Sequence, residues 1–329
     1  MTGQKTIRTR LAWLAIACAL PAWIIAGIMI HNSYHDKKVL LEQQMLETAR
    51  ALSLAVDIQF EGVKGILTAL ASSPYLQQDD LAHFHTQARQ VAVYDGEPVN
   101  IILADVTAQQ LVNTSRDYGV PLPRRGTPES AEKVFATGKG VVSDLYAGAL
   151  SKRLLVSIDV PVMRDGRVAY DLSMVIPAVR LGDILLRQRL PQGWIGGLLD
   201  TRGIIAARTF NPEQAVGKPT NADFFAQIQR QPEGAADIAS VEGMPLFLTY
   251  SRIPSSGWTV VIGAPAETIG SQLSHWLVWS LGGAVAVSLT SVALAMLLGG
   301  RIAGAIRGLL GPAAARGRGD RVAFHPQGL

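Results

Sequence analysis

Eight side chains in the middle of the chain have the types and spacing of a small-molecule site. They are Asn113, Arg116 and Tyr118 in "VNTSRDY", Asp144 and Tyr146 in "DLY", Ser157 and Asp159 in "LVSIDVPV", and Asp171 in "VAYDLSMV". Side chains alternate along a strand, so Ser157, Asp159 and Pro161 share one face while Val156, Ile158 and Val160 share the other. Asp171 and Ser173 likewise oppose Tyr170, Leu172 and Met174. If the two strands pair as a hairpin, both carboxylates fall on one polar face. A guanidinium at Arg116 would grip a ligand carboxylate through two parallel hydrogen bonds, and the aspartates would suit an amine. Polar groups converging on an otherwise apolar cavity mark a binding pocket. The same alternation also describes the solvent-facing half of an antiparallel sheet, and both readings stand at this point.

Other chemistries find less support. His31 and His35 are four apart and could form a metal pair, but residues so placed are more often interfacial polar groups. His83 and His85 are two apart, which on a helix points them to different faces, and no third ligand is evident. Neither a metal nor a cofactor is expected. Paired carboxylates for acid–base work and a G-x-S-x-G nucleophile turn are also missing, so no catalytic residue is assigned. The formal charge of +4 is modest. No basic patch interleaved with aromatics appears, which argues against a nucleic-acid partner.

The elements that must position these residues begin with two uncharged apolar runs, Leu11 to Ile30 and Trp276 to Leu298. Each is long enough to cross a hydrocarbon core of about 30 Å. Lys5, Arg8 and Arg10 precede the first, and Arg301, Arg307, Arg316, Arg318 and Arg321 follow the second. Basic residues favour the cytoplasmic ends of membrane helices, so both termini are expected inside and residues 31–274 outside. A cleaved signal is the alternative for the first run, but the run is long and no small-x-small cleavage site follows it. The single cysteine, Cys18, lies within that run. The external loop therefore has no disulfide and must rely on its core, which its size permits.

Within the loop, Met45, Leu52, Val56, Val63, Leu67 and Leu70 recur at helical spacing, predicting a helix over about 36–72 with Gly62 and Gly65 as weak points. From about Val99 short strands take over, with Asp165-Gly166 as a hairpin turn. Two strand sets resemble each other. "ILADVTAQQLVNTS" lines up with "LLDTRGIIAARTF", matching Asp105 to Asp200, and "LLVSIDVPVMRDGRVAYDLSMVIP" lines up with "LFLTYSRIPSSGWTVVIGAPAE". Two matches at one offset predict a tandem of one α+β unit.

These features together, with "QLVNTSRDYGVPLP", "VFATGKGVVSDLY", "DVPVMRDGRVAYDLS" and "SSGWTVVIGAP", resemble the double Cache sensor region of bacterial membrane receptors, most like the input halves of alphaproteobacterial sensor histidine kinases. The resemblance implies an α+β fold of two tandem PAS-like modules on a long N-terminal helix, flanked by two transmembrane helices. The expected plan is a cytoplasmic start (1–10), a span (11–30), a stalk helix (31–78), a membrane-distal module (79–180), a membrane-proximal module (181–273), a second span (274–300) and a HAMP-like linker (301–329). It implies a two-pass protein of the bacterial inner membrane, in contact with lipid, whose periplasmic loop binds a small carboxylate or amine and passes the change inward. A homodimer through the long helices is expected, as is a separate kinase or full-length receptor as partner. The phosphoacceptor helix and ATP-binding motifs of a kinase do not appear, so no enzymatic activity is expected of these residues, and "RIAGAIRGLLGPAAARGRGD" reads as a truncated linker. The alternative expectation is a membrane-anchored solute-binding or decoy subunit without output.

Overall fold

The computed structural model describes residues 7–148, 153–265, 282–283, 285–291, 293–294 and 297, with side chains along the first helix from Val39 onward. The chain divides into two units, Val39–Ile269, and Met1–Lys38 with Gly270–Leu329. In the second of these, helical residues between 282 and 297 carry the exposed apolar side chains Val287, Leu289, Leu294 and Leu297. Among the described residues no helix is long and apolar enough to cross a membrane. The side chains of the expected span at 11–30 lie outside the described residues, as does much of 274–300 and all of the expected linker at 301–329.

Helix α1 runs Ile7–Ala71. Met45, Ala49, Leu52, Val56, Phe60, Val63, Leu67 and Leu70 are all buried, at steps of three and four that keep one stripe against the core. Gly62 and Gly65 lie off that stripe, and a methyl group at either would meet open space. The helix stops where Pro74 disfavours helical backbone at Ser73, which adopts φ −58° and ψ 132° and caps the next helix by accepting a bond from the Tyr75 amide. That helix, α2 (Pro74–Gln77), leads to α3 (Leu81–Val91).

A small ribbon, β1 (Val93–Tyr94) with β2 (Glu97–Pro98), precedes the first large sheet. That sheet comprises β3 (Asn100–Ala104), β4 (Gln110–Asn113), β5 (Val141–Val142), β6 (Tyr146–Ala147), β7 (Leu154–Arg164) and β8 (Arg167–Pro177), with α4 (Pro128–Thr137) between β4 and β5. Helix α5 (Val179–Arg187) crosses to the second sheet. This one is built from β9 (Ile195–Leu199), β10 (Ile205–Arg208), β11 (Glu233–Ala239), β12 (Pro245–Arg252) and β13 (Thr259–Pro265), with α6 (Pro212–Ala215) and α7 (Ala222–Arg230) after β10.

The two sheets share one wiring. Strand order is β4-β3-β8-β7-β5 in the first and β10-β9-β13-β12-β11 in the second, all antiparallel. The matched aspartates do the same work in each. Asp105 Oδ1 accepts from the amides of Thr107 and Gln109, and Asp200 Oδ1 accepts from those of Arg202 and Ile204, the same offsets in both turns. The β7–β8 hairpin closes through Asp165 and Gly166 with φ of 50° and 74°, the paired positive angles of a tight two-residue turn. The apolar faces of both sheets meet the α1 stripe in one core that includes Val156, Ile158, Met174, Trp258, Val260 and Ile262.

Candidate functional site

The hairpin places the two carboxylates together. Asp159 pairs with Ser173 and Pro161 with Asp171, so Ser157, Asp159, Asp171 and Ser173 occupy one face. That face is not open to solvent, because all four side chains belong to residues of 0% exposure. The covering layer includes α4, which packs on β7 and β8, and the strand-free chain that leads into it.

The layer brings in a residue that the sequence reading passed over. Arg125 is buried against the polar face, its side chain 2% exposed. Its Nη2 donates to Asp159 Oδ1 at 2.8 Å and to Thr127 and Ser157 hydroxyls at 3.3 Å, while Nη1 bonds Asp171 Oδ2. Ser157 in turn donates to Asp159 Oδ2 at 3.1 Å. One guanidinium against two carboxylates leaves a formal excess of one negative charge, and Asp171 Oδ1 is buried without a partner. Local structure fixes Arg125 in place: its amide donates to the Ala108 carbonyl, inside the turn that Asp105 organises. Two buried carboxylates require a buried cation, and that requirement is the signal that could have pointed to the Arg124-Arg125 pair.

Beside this cluster lies a cavity of about 420 Å³. Gln110, Asn113, Arg124 and Tyr146 supply polar groups to its wall, and Ile102, Leu155 and Val175 supply apolar ones. Asn113 is braced there by Gln110 Oε1 at 2.7 Å and by the Ser115 hydroxyl at 2.7 Å. Gly126 and Tyr146 line this cavity and also a second, more polar one of about 530 Å³. A methyl group at Gly126 would stand in van der Waals contact with the Tyr146 ring, at 3.4 Å. Burial pushes the Tyr146 phenol up to about 12, against the opposing pull of the Arg125 charge. Tyr146 therefore remains a neutral hydroxyl at any physiological pH, with the polar Ser157 and Thr127 side chains pulling against the effect of burial.

Of the eight residues expected to converge, Asn113 and Tyr146 line the 420 Å³ cavity. Ser157, Asp159 and Asp171 form the buried cluster next to it and do not line it. Arg116 and Tyr118 belong elsewhere, because β4 ends at Asn113 and the chain turns outward. Both are exposed, Tyr118 meeting the His85 ring at 5.9 Å and Arg116 offering only its carbonyl to His85 Nε2. The arginine that lines the cavity is Arg124.

Asp144 lines the second cavity, of about 530 Å³, together with Tyr146, and it also holds the second sheet. Its carboxylate accepts from the Thr201 amide at 3.0 Å and hydroxyl at 2.7 Å, and lies 3.5 Å from Arg202 Nε. Next to it the Leu145 amide donates to Asp200 Oδ2 at 3.2 Å, and Arg202 Nη2 donates to the Leu145 carbonyl at 2.6 Å. The segment carrying Tyr146 is thereby fastened to the β9–β10 turn. Among the described residues no group of three or more His, Cys, Asp and Glu side chains stands together as a metal site.

No protein-family model matches the chain, and no curated protein matches it by sequence. Solved structures do. The extracellular domain of rpHK1S-Z16, designated a histidine kinase, aligns with a TM-score of 0.57 at 17% identity, covering 70% of this chain and 96% of that one. The ligand-binding domain of the Pseudomonas fluorescens chemoreceptor CtaA, in complex with L-serine, aligns at 0.56 with 12% identity, covering 70% and 99%. That of the Campylobacter jejuni chemoreceptor Tlp3, in complex with L-valine, aligns at 0.51 with 14% identity, covering 73% and 97%. The shared fold is the double Cache-like arrangement of extracellular sensor domains.

Proposed function

We propose that the chain is the extracytoplasmic sensor half of a two-pass bacterial membrane receptor, and that the 420 Å³ cavity of the first sheet holds a small amino-acid-like solute. The observation that carries the ligand reading is the cavity itself, set against a buried cluster with an unspent carboxylate oxygen. Arg124 on its wall suits a carboxylate, and the excess negative charge around Asp171 favours an amine nearby. The fold, shared with the chemoreceptor domains described above, supports the same reading. A ligand present at 100 times its Kd stabilises the state it binds by about 2.7 kcal/mol. Amino acids screened one at a time against the full chain in detergent should therefore include at least one that raises the melting temperature saturably. Asn113→Leu should abolish that rise, and the outward-facing Arg116→Ala should preserve it. A panel without any shift, or a shift indifferent to Asn113→Leu, would remove the cavity from the proposal.

In this reading the first sheet is the membrane-distal module and the second the membrane-proximal one. The ligand repacks the Tyr146 segment, and the fastening at Asp144 hands the change to the second sheet and onward to the second span. Only differential affinity for two arrangements can drive such a shift. Two copies meet through α1, whose Leu54, Ile58 and Ile66 stand 59%, 61% and 44% exposed on the face away from the core. The exposed apolar helical residues near the chain end support a lipid-facing span. One experiment tests topology and dimer together. With Cys18→Ser removing the single native thiol, Ile58→Cys in intact cells should react with a membrane-impermeant maleimide and form a disulfide-linked dimer under mild oxidation. A thiol that neither labels nor cross-links would overturn the topology, and a labelled thiol that never cross-links would overturn the helix-to-helix dimer.

A further inference from the structure

The second sheet has a cavity of its own, about 70 Å³, between the sheet and α7. Leu199, Ile205, Phe224 and Leu248 make most of its wall apolar, and Arg208 is the single charged residue that lines it. Arg208 lies opposite Gly197 in the β10–β9 register, so no side chain occupies the space beside its strand partner. A methyl group at Gly197 would meet nothing nearer than the Ala207 carbonyl at 3.7 Å. The room is open rather than filled by packing.

The buried guanidinium is only partly engaged. Its Nη1 donates to Glu242 Oε1 at 2.7 Å, while Glu242 Oε2 is buried without a partner. Arginine and carboxylate commonly meet through two parallel bonds, and here a single bond leaves one oxygen of Glu242 unspent. The Arg208 guanidinium also lies over the Phe210 ring, 5.8 Å from its centre. Burial works to raise the Glu242 carboxyl, but the bonds from Arg208 and Ser240 outweigh it and hold the group below its usual range, hence ionised. Glu242 sits on the turn between β11 and β12, its side chain 17% exposed against 6% for Arg208. The acid can return to water, whereas the base cannot.

We propose that this cavity is a second binding site, for a short monocarboxylate whose carboxylate replaces that of Glu242 on Arg208. The alkyl end would rest against Phe224 and Leu248. An apolar cavity of about 150 Å³ holds a benzene, so one of half that size admits a chain of about two or three carbons. Exchanging one carboxylate for another preserves the charge balance around the buried arginine, which an amine would not. The inference concerns a different sheet from the amino-acid site and stands or falls separately.

Propionate is the probe, titrated calorimetrically into the full chain in detergent, with propionamide and propylamine as neutral and cationic counterparts. Saturable binding of propionate alone is expected. Gly197→Val, which fills the cavity without touching a charge, should weaken it at least tenfold while the melting temperature holds. Arg208→Gln should abolish it, and Glu242→Gln should tighten it severalfold by weakening the internal competitor. Arg116→Ala, exposed beside the first sheet and lining neither cavity, should leave it unchanged. The proposal is overturned if propionate fails to saturate, if propionamide binds equally well, or if Gly197→Val has no effect. Should Arg208→Gln fail to fold, Gly197→Val still decides the matter.

Discussion

Arg125→Met should destabilise the protein by about 3–5 kcal/mol, the usual cost of stripping one partner from a buried ion pair. The arginine is 6% exposed, and both carboxylates it holds, Asp159 and Asp171, are 0% exposed. Without it two like charges remain in a covered space, with the Ser157 hydroxyl donating to Asp159. Asp171→Asn is the informative contrast. It removes the excess negative charge and leaves a neutral Arg125–Asp159 pair, at the cost of a buried amide short of one partner, about 1–3 kcal/mol. Denaturant unfolding of the full chain and its variants should therefore rank Arg125→Met well below Asp171→Asn. Equal stabilities would mean that the cluster is reached by water or that other cations compensate it. The same reasoning reassigns Asp159: its removal should act on the fold before it acts on any ligand.

The sequence and the structure agree best where periodicity is strong. The α1 stripe, the Asp165-Gly166 turn and the separation of Ser157 and Asp159 from Val156 and Ile158 all follow from steps of 3.6 or 2 residues. The tandem plan was legible too, because Asp105 and Asp200 each organise a turn with identical bonding offsets. What alternation cannot say is what covers a face. Ser157, Asp159 and Asp171 could have met solvent or ligand, and instead they meet Arg125, which comes from a strand-free stretch with no period to read. Arg116 follows β4 closely, yet strand parity ends at Asn113 and gives no direction beyond it. Nor does alternation reveal that Asp144 bonds Thr201, 57 residues away in sequence.

Trp258→Ala is expected to be as costly as the loss of Arg125, for an apolar reason. Trp258 is 0% exposed and meets the Phe60 ring edge-on, centroids 5.8 Å apart and planes at 82°. Truncating a buried aromatic to alanine costs about 3–5 kcal/mol through lost transfer energy and the cavity left behind. About 0.5–1.5 kcal/mol of that belongs to the ring pair itself, so a double-mutant cycle with Phe60→Ala should return a coupling of that size. Trp258→Phe should cost much less, since it keeps most of the volume and removes an indole N–H that is buried without a partner. Denaturant unfolding checks all three, and a Trp258→Ala loss below about 1 kcal/mol would show that the site collapses freely. The contact also bears on transmission. Trp258 immediately precedes β13, the last strand before the expected second span, and Phe60 lies on the helix that also packs the first sheet. Under the proposed function, a ligand-induced shift in α1 would reach β13 through this ring pair, a route separate from the Asp144 fastening to the β9–β10 turn. Trp258→Ala should then weaken coupling between the sheets even under conditions where both remain folded.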